Sequence, residues 1–243
     1  MSELTELIGG LAHELRNPLS TLMVNLRLLA EDLRDEHGDA DALRRRALLK
    51  LEVVRREAER LQGLFDEFLN LTGTCRFHLI RVNVREVVSR LATFIEPMAR
   101  SRGVVLQVDG PSDALYVSAD EDQLSQALLN IALNALEAMP DGGTLRIGVR
   151  RDGAGVALTM SDTGAGIAPE DASRIMRPFF STKARGTGLG LSITRRIVAG
   201  HGGSLSFESS PGRGTTFTIR LPGPDASPVS PPADDAAEPP SPT

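Results

Sequence analysis

His13 and Glu14 are neighbours, and Asn17 follows four residues after the histidine. A neutral imidazole has one ring nitrogen able to attack an electrophile, and a carboxylate beside it can accept the proton from the other. The order His-Glu-x-x-Asn is not a zinc-protease helix, which needs a second His where Asn17 stands. At about 100° per residue, His13 is turned roughly 200° from both Leu11 and Leu15. This predicts that it faces solvent, with Asn17 on the same face and Glu14 on its flank.

A second set of residues lies more than a hundred positions on. Asn130 and Asn134, four apart, share one face of a predicted helix. Neutral amide oxygens suit a hard cation that keeps most of its waters, such as Mg²⁺. Asp162-Thr163-Gly164-Ala165-Gly166 follows a predicted strand; its carboxylate can accept from an exocyclic amine, and its glycines allow close backbone approach. Gly186-Thr187-Gly188-Leu189-Gly190-Leu191 opens a helix, where backbone N–H groups can cradle phosphates. It lacks the Gly-Lys-Ser/Thr ending of a P-loop. The intervening Arg177-Pro178-Phe179-Phe180-Ser181-Thr182-Lys183-Ala184-Arg185 is polar and basic after an aromatic anchor, as a lid over phosphates would be. Gly212-Arg213-Gly214-Thr215 precedes the last strand. Each loop alone is common in turns; the four in order carry more information.

The elements that must hold these residues follow from periodicity. Ile8, Leu11, Leu15, Leu19, Leu22, Leu26, Leu29 and Leu33 recur at spacings of three and four, a helical stripe. Pro18 predicts a kink, since proline removes a donor and crowds the preceding turn. Asp35 to Asp41 reads as a helix-helix turn, and Leu51, Val54, Ala58, Leu61, Phe65 and Phe68 make a second seam. One hairpin cannot bury both stripes well, so residues 1–71 are expected to form a four-helix bundle as a homodimer, the alternative being a hairpin docked on its own C-terminal domain. Leu71 to Arg76 breaks the pattern, with a linker over 72–79. Residues 80–222 read as strands and helices that build a mixed sheet covered by helices on one face. A hairpin turns at Asp152-Gly153-Ala154-Gly155, and Asp120 caps a helix running to about Met139. Residues 223–243, rich in Pro, Ala, Ser and Asp, read as a disordered tail.

Composition narrows the field. A net charge of −5 argues against nucleic acid as the main partner. No apolar run reaches the roughly 18 residues of a membrane span, no signal peptide is evident, and the single Cys75 forms no internal disulfide. A cytoplasmic chain with no membrane segment is expected.

Taken together, these residues resemble the transmitter core of a sensor histidine kinase. Ala12 to Leu19 resembles its H box, Asn130 to Ala138 the N box, and Asp162 to Gly166 the G1 box. Pro178 to Phe180, Gly186 to Leu191 and Gly212 to Thr215 resemble the F, G2 and G3 boxes. The resemblance implies a helical phosphotransfer hairpin followed by an α/β sandwich of the Bergerat (GHKL) type, shared with gyrase and Hsp90. It implies ATP and Mg²⁺ as cofactors and a response regulator as partner. It assigns phosphoacceptor chemistry to His13 and Glu14, and a phosphatase role on the regulator to Asn17. Asn134 would contact the metal with Asn130 assisting, and Asp162 would bind adenine beside Gly164, Gly166 and Thr215. Phe180, Lys183, Arg185, Gly186, Thr187, Gly188, Leu189 and Gly190 would line the phosphates. Two other readings use the same loops: an ATP-driven clamp, for which His13-Glu14 has no purpose, and a dimeric scaffold without catalysis.

Overall fold

The leucine stripe of the N-terminal segment folds into one helix, α1 (Ser2–Asp32), and the second seam into α2 (Ala40–Thr72). A computed structural model describes residues 2–34, 40–72, 77–183 and 187–224. The expected turn over 35–41 lies mostly outside the described residues; Asp41 falls in the first turn of α2. Leu71 and Thr72, expected to start the linker, are still helical, because nothing before Gly73 breaks the pattern. Helix α1 continues through Pro18. There the Ser20 and Thr21 hydroxyls donate back to the Arg16 and Asn17 carbonyls, at 2.8 and 3.2 Å. Such back-bonding bends helices.

Ion pairs give the direction of the hairpin. Lys50 Nζ lies 2.5 Å from Asp32 and donates to the Leu28 carbonyl at 3.1 Å. Arg60 pairs with Glu14 at 3.9 Å, so α2 runs back along α1. Leu15, Leu22 and Leu29 are half-buried, whereas Leu19, Leu26 and Leu33, seven apart, are exposed. On α2, Val54 and Leu61 are half-buried, and Leu51, Ala58 and Phe65, again seven apart, are exposed. Each helix thus covers one heptad row within the chain and leaves the other bare.

By its contacts the chain divides into two units, residues 1–75 with 175–192 and residues 76–174 with 193–243. The second unit contains β1 (Ile80–Asn83), α3 (Val84–Ser101), β2 (Val104–Asp109), β3 (Tyr116–Ala119) and α4 (Glu121–Glu137). Then come β4 (Gly143–Asp152), β5 (Gly155–Asp162), a short α5 (Pro169–Ala172), the end of α6 (Gly190–Gly200), β6 (Ser204–Ser210) and β7 (Gly214–Leu221). The five-stranded sheet has the order β2-β4-β5-β7-β6; only β2 and β4 pair parallel. Strands β1 and β3 form a separate antiparallel pair. The single mixed sheet expected from periodicity is therefore a mixed sheet plus a two-stranded ribbon, and α5 was not anticipated.

Local chemistry explains the helices that position the site. Asp120 is the N-cap of α4, its side chain accepting from the Gln123 N–H at 3.1 Å. Leu124, Leu128, Ile131 and Ala135 form the buried stripe of α4, and Leu145, Ile147 and Val149 are the inward alternation of β4. The β4–β5 hairpin closes over Gly153-Ala154, with Gly153 at φ +58°.

Candidate nucleotide site and phosphoacceptor helix

Asp162 ends β5 and is 6% exposed. Its Oδ1 accepts from the Gly164 N–H at 2.8 Å and from the Thr215 N–H at 3.2 Å. The carboxylate therefore joins two motifs that are fifty residues apart in sequence. Among the described residues no donor reaches its Oδ2. Burial pushes this carboxyl above the ordinary carboxylate range, and the Gly164 and Thr215 N–H groups oppose that shift.

The loop after Asp162 is tied on every side. Ala165 N–H donates to the Ala138 carbonyl at the end of α4 (3.1 Å), and Gly212 N–H to the Ala165 carbonyl (2.7 Å). Ile167 N–H reaches Ser209 Oγ at 2.8 Å, and that hydroxyl lies 2.9 Å from Thr215 Oγ1. The glycines follow from this crowding. A Cβ on Gly164 would lie 2.6 Å from the Ala138 carbonyl oxygen. One on Gly166, at φ +71°, would strike the Ser210 carbonyl, and one on Gly214, at φ +84°, the Asp162 carbonyl. These glycines serve approach of the protein to itself. Asn130 and Asn134 sit half-buried one turn apart on α4. Among the described residues no group of three or more His, Cys, Asp or Glu side chains could hold a metal.

In the first unit, His13 lies within α1, but its side chain is outside the described residues. Glu14 is half-buried and paired with Arg60; Asn17 is exposed. Phe179 is the one non-glycine residue with positive φ (61°) among the described residues. Its ring occupies the space beside Gly10 of α1, where a Cβ would lie 2.7 Å from the ring Cγ. Its backbone lies against Gly188, at φ +68°, where a Cβ would be 2.5 Å from the Phe179 carbonyl carbon. Phe180 N–H donates to the Arg177 carbonyl at 3.3 Å. Lys183 is exposed, and its N–H bonds Ser181 Oγ at 3.1 Å. Thr187 Oγ1 accepts from the Leu189 N–H at 3.3 Å, Leu189 is buried, and Gly190 opens α6. Arg185 and Gly186 lie outside the described residues.

Comparison with known proteins fits this arrangement. Residues 3–72 match the His Kinase A (phospho-acceptor) domain model, and residues 119–225 the histidine kinase-, DNA gyrase B- and HSP90-like ATPase model. The catalytic domain of histidine kinase ThkA superposes with a TM-score of 0.56 at 30% identity, over 60% of this chain and 97% of that one.

The chain belongs to the histidine kinase family.

Two further relatives set its extent. Sensor histidine kinase ZraS of Escherichia coli K12 is 35% identical over 90% of this chain and 45% of its own length. ThkA in complex with the response regulator protein TrrA matches with a TM-score of 0.71 at 25% identity, over 91% of this chain and 62% of that one. The chain thus spans about half the length of the curated relative. No helix among the described residues is long and apolar enough to cross a membrane.

Within this histidine kinase chain, the structure brings Asp162, Gly164, Gly166 and Thr215 into one bonded cluster and puts Asn130 and Asn134 on one helix. The predicted residues of 180–190 belong to the other unit. Sequence reasoning passed over Gly10 and Phe179 as a pair. A signal existed, because Gly9-Gly10 inside a helix costs about 1 kcal/mol per residue against Ala and asks for a packing reason.

Asp162→Asn separates the cost of the buried carboxylate from its use. The amide oxygen can still accept from Gly164 and Thr215, while burial no longer acts on a charge. Burial acts on the ionised form only, so its cost is fully present above the raised folded value. It is relieved as pH falls through the raised folded value towards the unfolded one. Thermal unfolding should show the variant as stable as the parent or a few degrees higher, about 1 kcal/mol, with the difference narrowing in acid. A large loss of stability at neutral pH would contradict this.

Proposed function

We propose that this chain is an ATP-dependent histidine autokinase that phosphorylates His13 and passes the phosphoryl group to an aspartate of a separate response regulator. The observation that carries the reading is the buried Asp162 carboxylate, one oxygen held by two backbone N–H groups and the other met by no donor among the described residues. That pattern fits a ligand donating one hydrogen bond, such as the exocyclic amine of adenine. ATP fits the cluster by this chemistry.

The division of labour follows the helices. A ring nitrogen of His13 attacks the γ-phosphorus, the N–P bond forms as the bond to the ADP oxygen breaks, and Glu14 accepts the proton from the other ring nitrogen. Arg60 lies 3.9 Å from Glu14 and orients that carboxylate. The 180–190 segment supplies backbone N–H groups at the start of α6, with Lys183 and Arg185 as cations for the phosphates. Asn134, with Asn130 one turn away, would hold Mg²⁺, since neutral amide oxygens suit an ion that keeps its waters and phosphate ligands. When bound, the metal offsets phosphate charge during transfer. Asn17, exposed on α1, orients water for the reverse flow, hydrolysis of the regulator's acyl phosphate. Two relatives support nucleotide and partner by their own contents: ShkA is described with AMPPNP and ThkA with TrrA. We read residues 1–71 as the phosphotransfer hairpin, 72–79 as the linker and 80–222 as the catalytic domain, in a cytoplasmic protein.

A second copy completes the hairpin. Leu19 (55% exposed), Leu26 and Leu33 (76%) on α1, with Leu51, Ala58 and Phe65 (53%) on α2, keep a seven-residue period on faces left bare by their own chain. Apolar rows of that period are covered by another such hairpin in a four-helix bundle.

Two experiments test the reading. Incubation with γ-labelled ATP and Mg²⁺ should label the protein, with label lost in acid, stable in alkali and absent from His13→Ala; alkali-labile label or an unchanged variant would reject it. Sedimentation velocity should find the parent chain dimeric and Leu26→Glu monomeric, since the substitution puts a charge into the seam; a dimer that survives it would place the interface elsewhere.

A further inference from the structure

The residues just before β1 are bonded to the helices that carry the nucleotide residues. Phe77 is half-buried. Its ring fills the space over Gly200, where a Cβ would lie 3.0 Å from Phe77 Cδ2 and closer to other ring atoms. The ring meets the His201 imidazole edge-on, centroids 5.1 Å apart at 69°. His201, 3% exposed, has Nδ1 2.6 Å from the Ile197 carbonyl, so Nδ1 donates. Its Nε2 accepts the Asp120 N–H at 2.9 Å. One neutral tautomer therefore satisfies both partners and joins the end of α6 to the residue that caps α4.

The next linker residue makes a second tie. His78 N–H donates to Asp120 Oδ2 at 2.9 Å, while Asp120 Oδ1 caps α4 through Gln123. A third follows at once, where Ile80 of β1 pairs with Ala119, the neighbour of Asp120. Along the helices, Thr194 Oγ1 of α6 donates to the Ala127 carbonyl of α4 at 3.4 Å. The contacts 120–201 and 127–194 run in opposite directions, so α4 and α6 lie antiparallel as a bonded pair. Helix α4 carries Asn130 and Asn134, and α6 is the direct continuation of the glycine loop.

We propose that Phe77 and His78, gripping His201 and Asp120, form a coupling joint through which the segment leaving α2 moves the two nucleotide helices, and through which bound nucleotide is reported back. Phe77 and His201 are positioning residues: they touch no substrate and act through α4 and α6. A tether with no further task would be free of such contacts, yet here successive residues are fixed to the C-terminus of α6 and the N-cap of α4, the two helix termini that meet at one end of the pair. Because coupling free energy is reciprocal, nucleotide that orders α4 and α6 must also bias the linker. The inference rests on the nucleotide reading above, so its test measures binding separately.

Cys75 is the chain's single cysteine, so a thiol-reactive, environment-sensitive dye attaches two residues before Phe77. The labelled full chain is titrated with a non-hydrolysable ATP analogue and Mg²⁺, and binding of the same protein is measured by calorimetry. In the parent, fluorescence should change with the calorimetric midpoint. In Phe77→Ala the analogue should bind within about three-fold of the parent while most of the fluorescence change is lost. His78→Pro, which removes the N–H given to Asp120 but leaves the Phe77 ring, should weaken the change in the same way and serves if Phe77→Ala fails to fold. A silent dye in a parent that binds, or a full response in variants that bind, overturns the joint. Absence of calorimetric binding in the parent instead removes the nucleotide reading, and the joint with it.

Discussion

One buried carboxylate orders the cluster that ties together the ends of β5, β7 and α4. Asp162 stands at the end of a central strand, where burial works against its charge, and the Gly164 and Thr215 N–H groups are what hold it there. Their convergence demands that the loop after β5 and the start of β7 close on the same oxygen. Three glycines make this closure possible: Gly164 against Ala138, Gly166 against Ser210 and Gly214 against the Asp162 carbonyl. The same loop is bonded to the end of α4 through Ala138, so the helix bearing Asn130 and Asn134 is set by the same contacts. The second oxygen of this carboxylate accepts from no donor among the described residues, which leaves it for a ligand.

The hairpin depends on a different physical term. Within one chain, the rows at Leu15, Leu22 and Leu29 and at Val54 and Leu61 are partly covered, and the interleaved rows are not. Burial of apolar surface is the main source of stability for such helices, at roughly 25 cal/mol per Å². The bare heptad rows are therefore a statement about assembly, written in the same leucines that make α1 a helix. Phe179 adds a constraint of another kind. Its left-handed backbone and its ring against Gly10 hold one short segment on α1, with Gly188 giving room behind it.

Much of this was legible in the sequence. The helical stripes, the Asp120 cap, the Gly153-Ala154 turn and the ordered glycine loops all express local rules, and local rules survive without tertiary context. What the sequence hid was mostly tertiary. Gly164 and Gly166 looked like room for a base, yet the atoms that crowd them belong to Ala138 and Ser210. The β1–β3 ribbon could not be told from an extension of the main sheet, because pairing partners are not encoded in a strand's own alternation. His201 belongs to none of the motifs read from the sequence, and Phe77 falls in the expected linker. Only the folded chain puts that histidine between Ile197 and Asp120, with Phe77 at its edge.

The most direct measurement compares the affinity of the full chain, with Mg²⁺, for ATP and for purine riboside triphosphate, which lacks only the exocyclic amine. If Asp162 Oδ2 accepts a hydrogen bond from that amine, the analogue binds at least about ten-fold more weakly, the loss expected for a hydrogen bond to a charged group. Equal affinity for the two would contradict the role given to Asp162, and with it the centre of the proposed site.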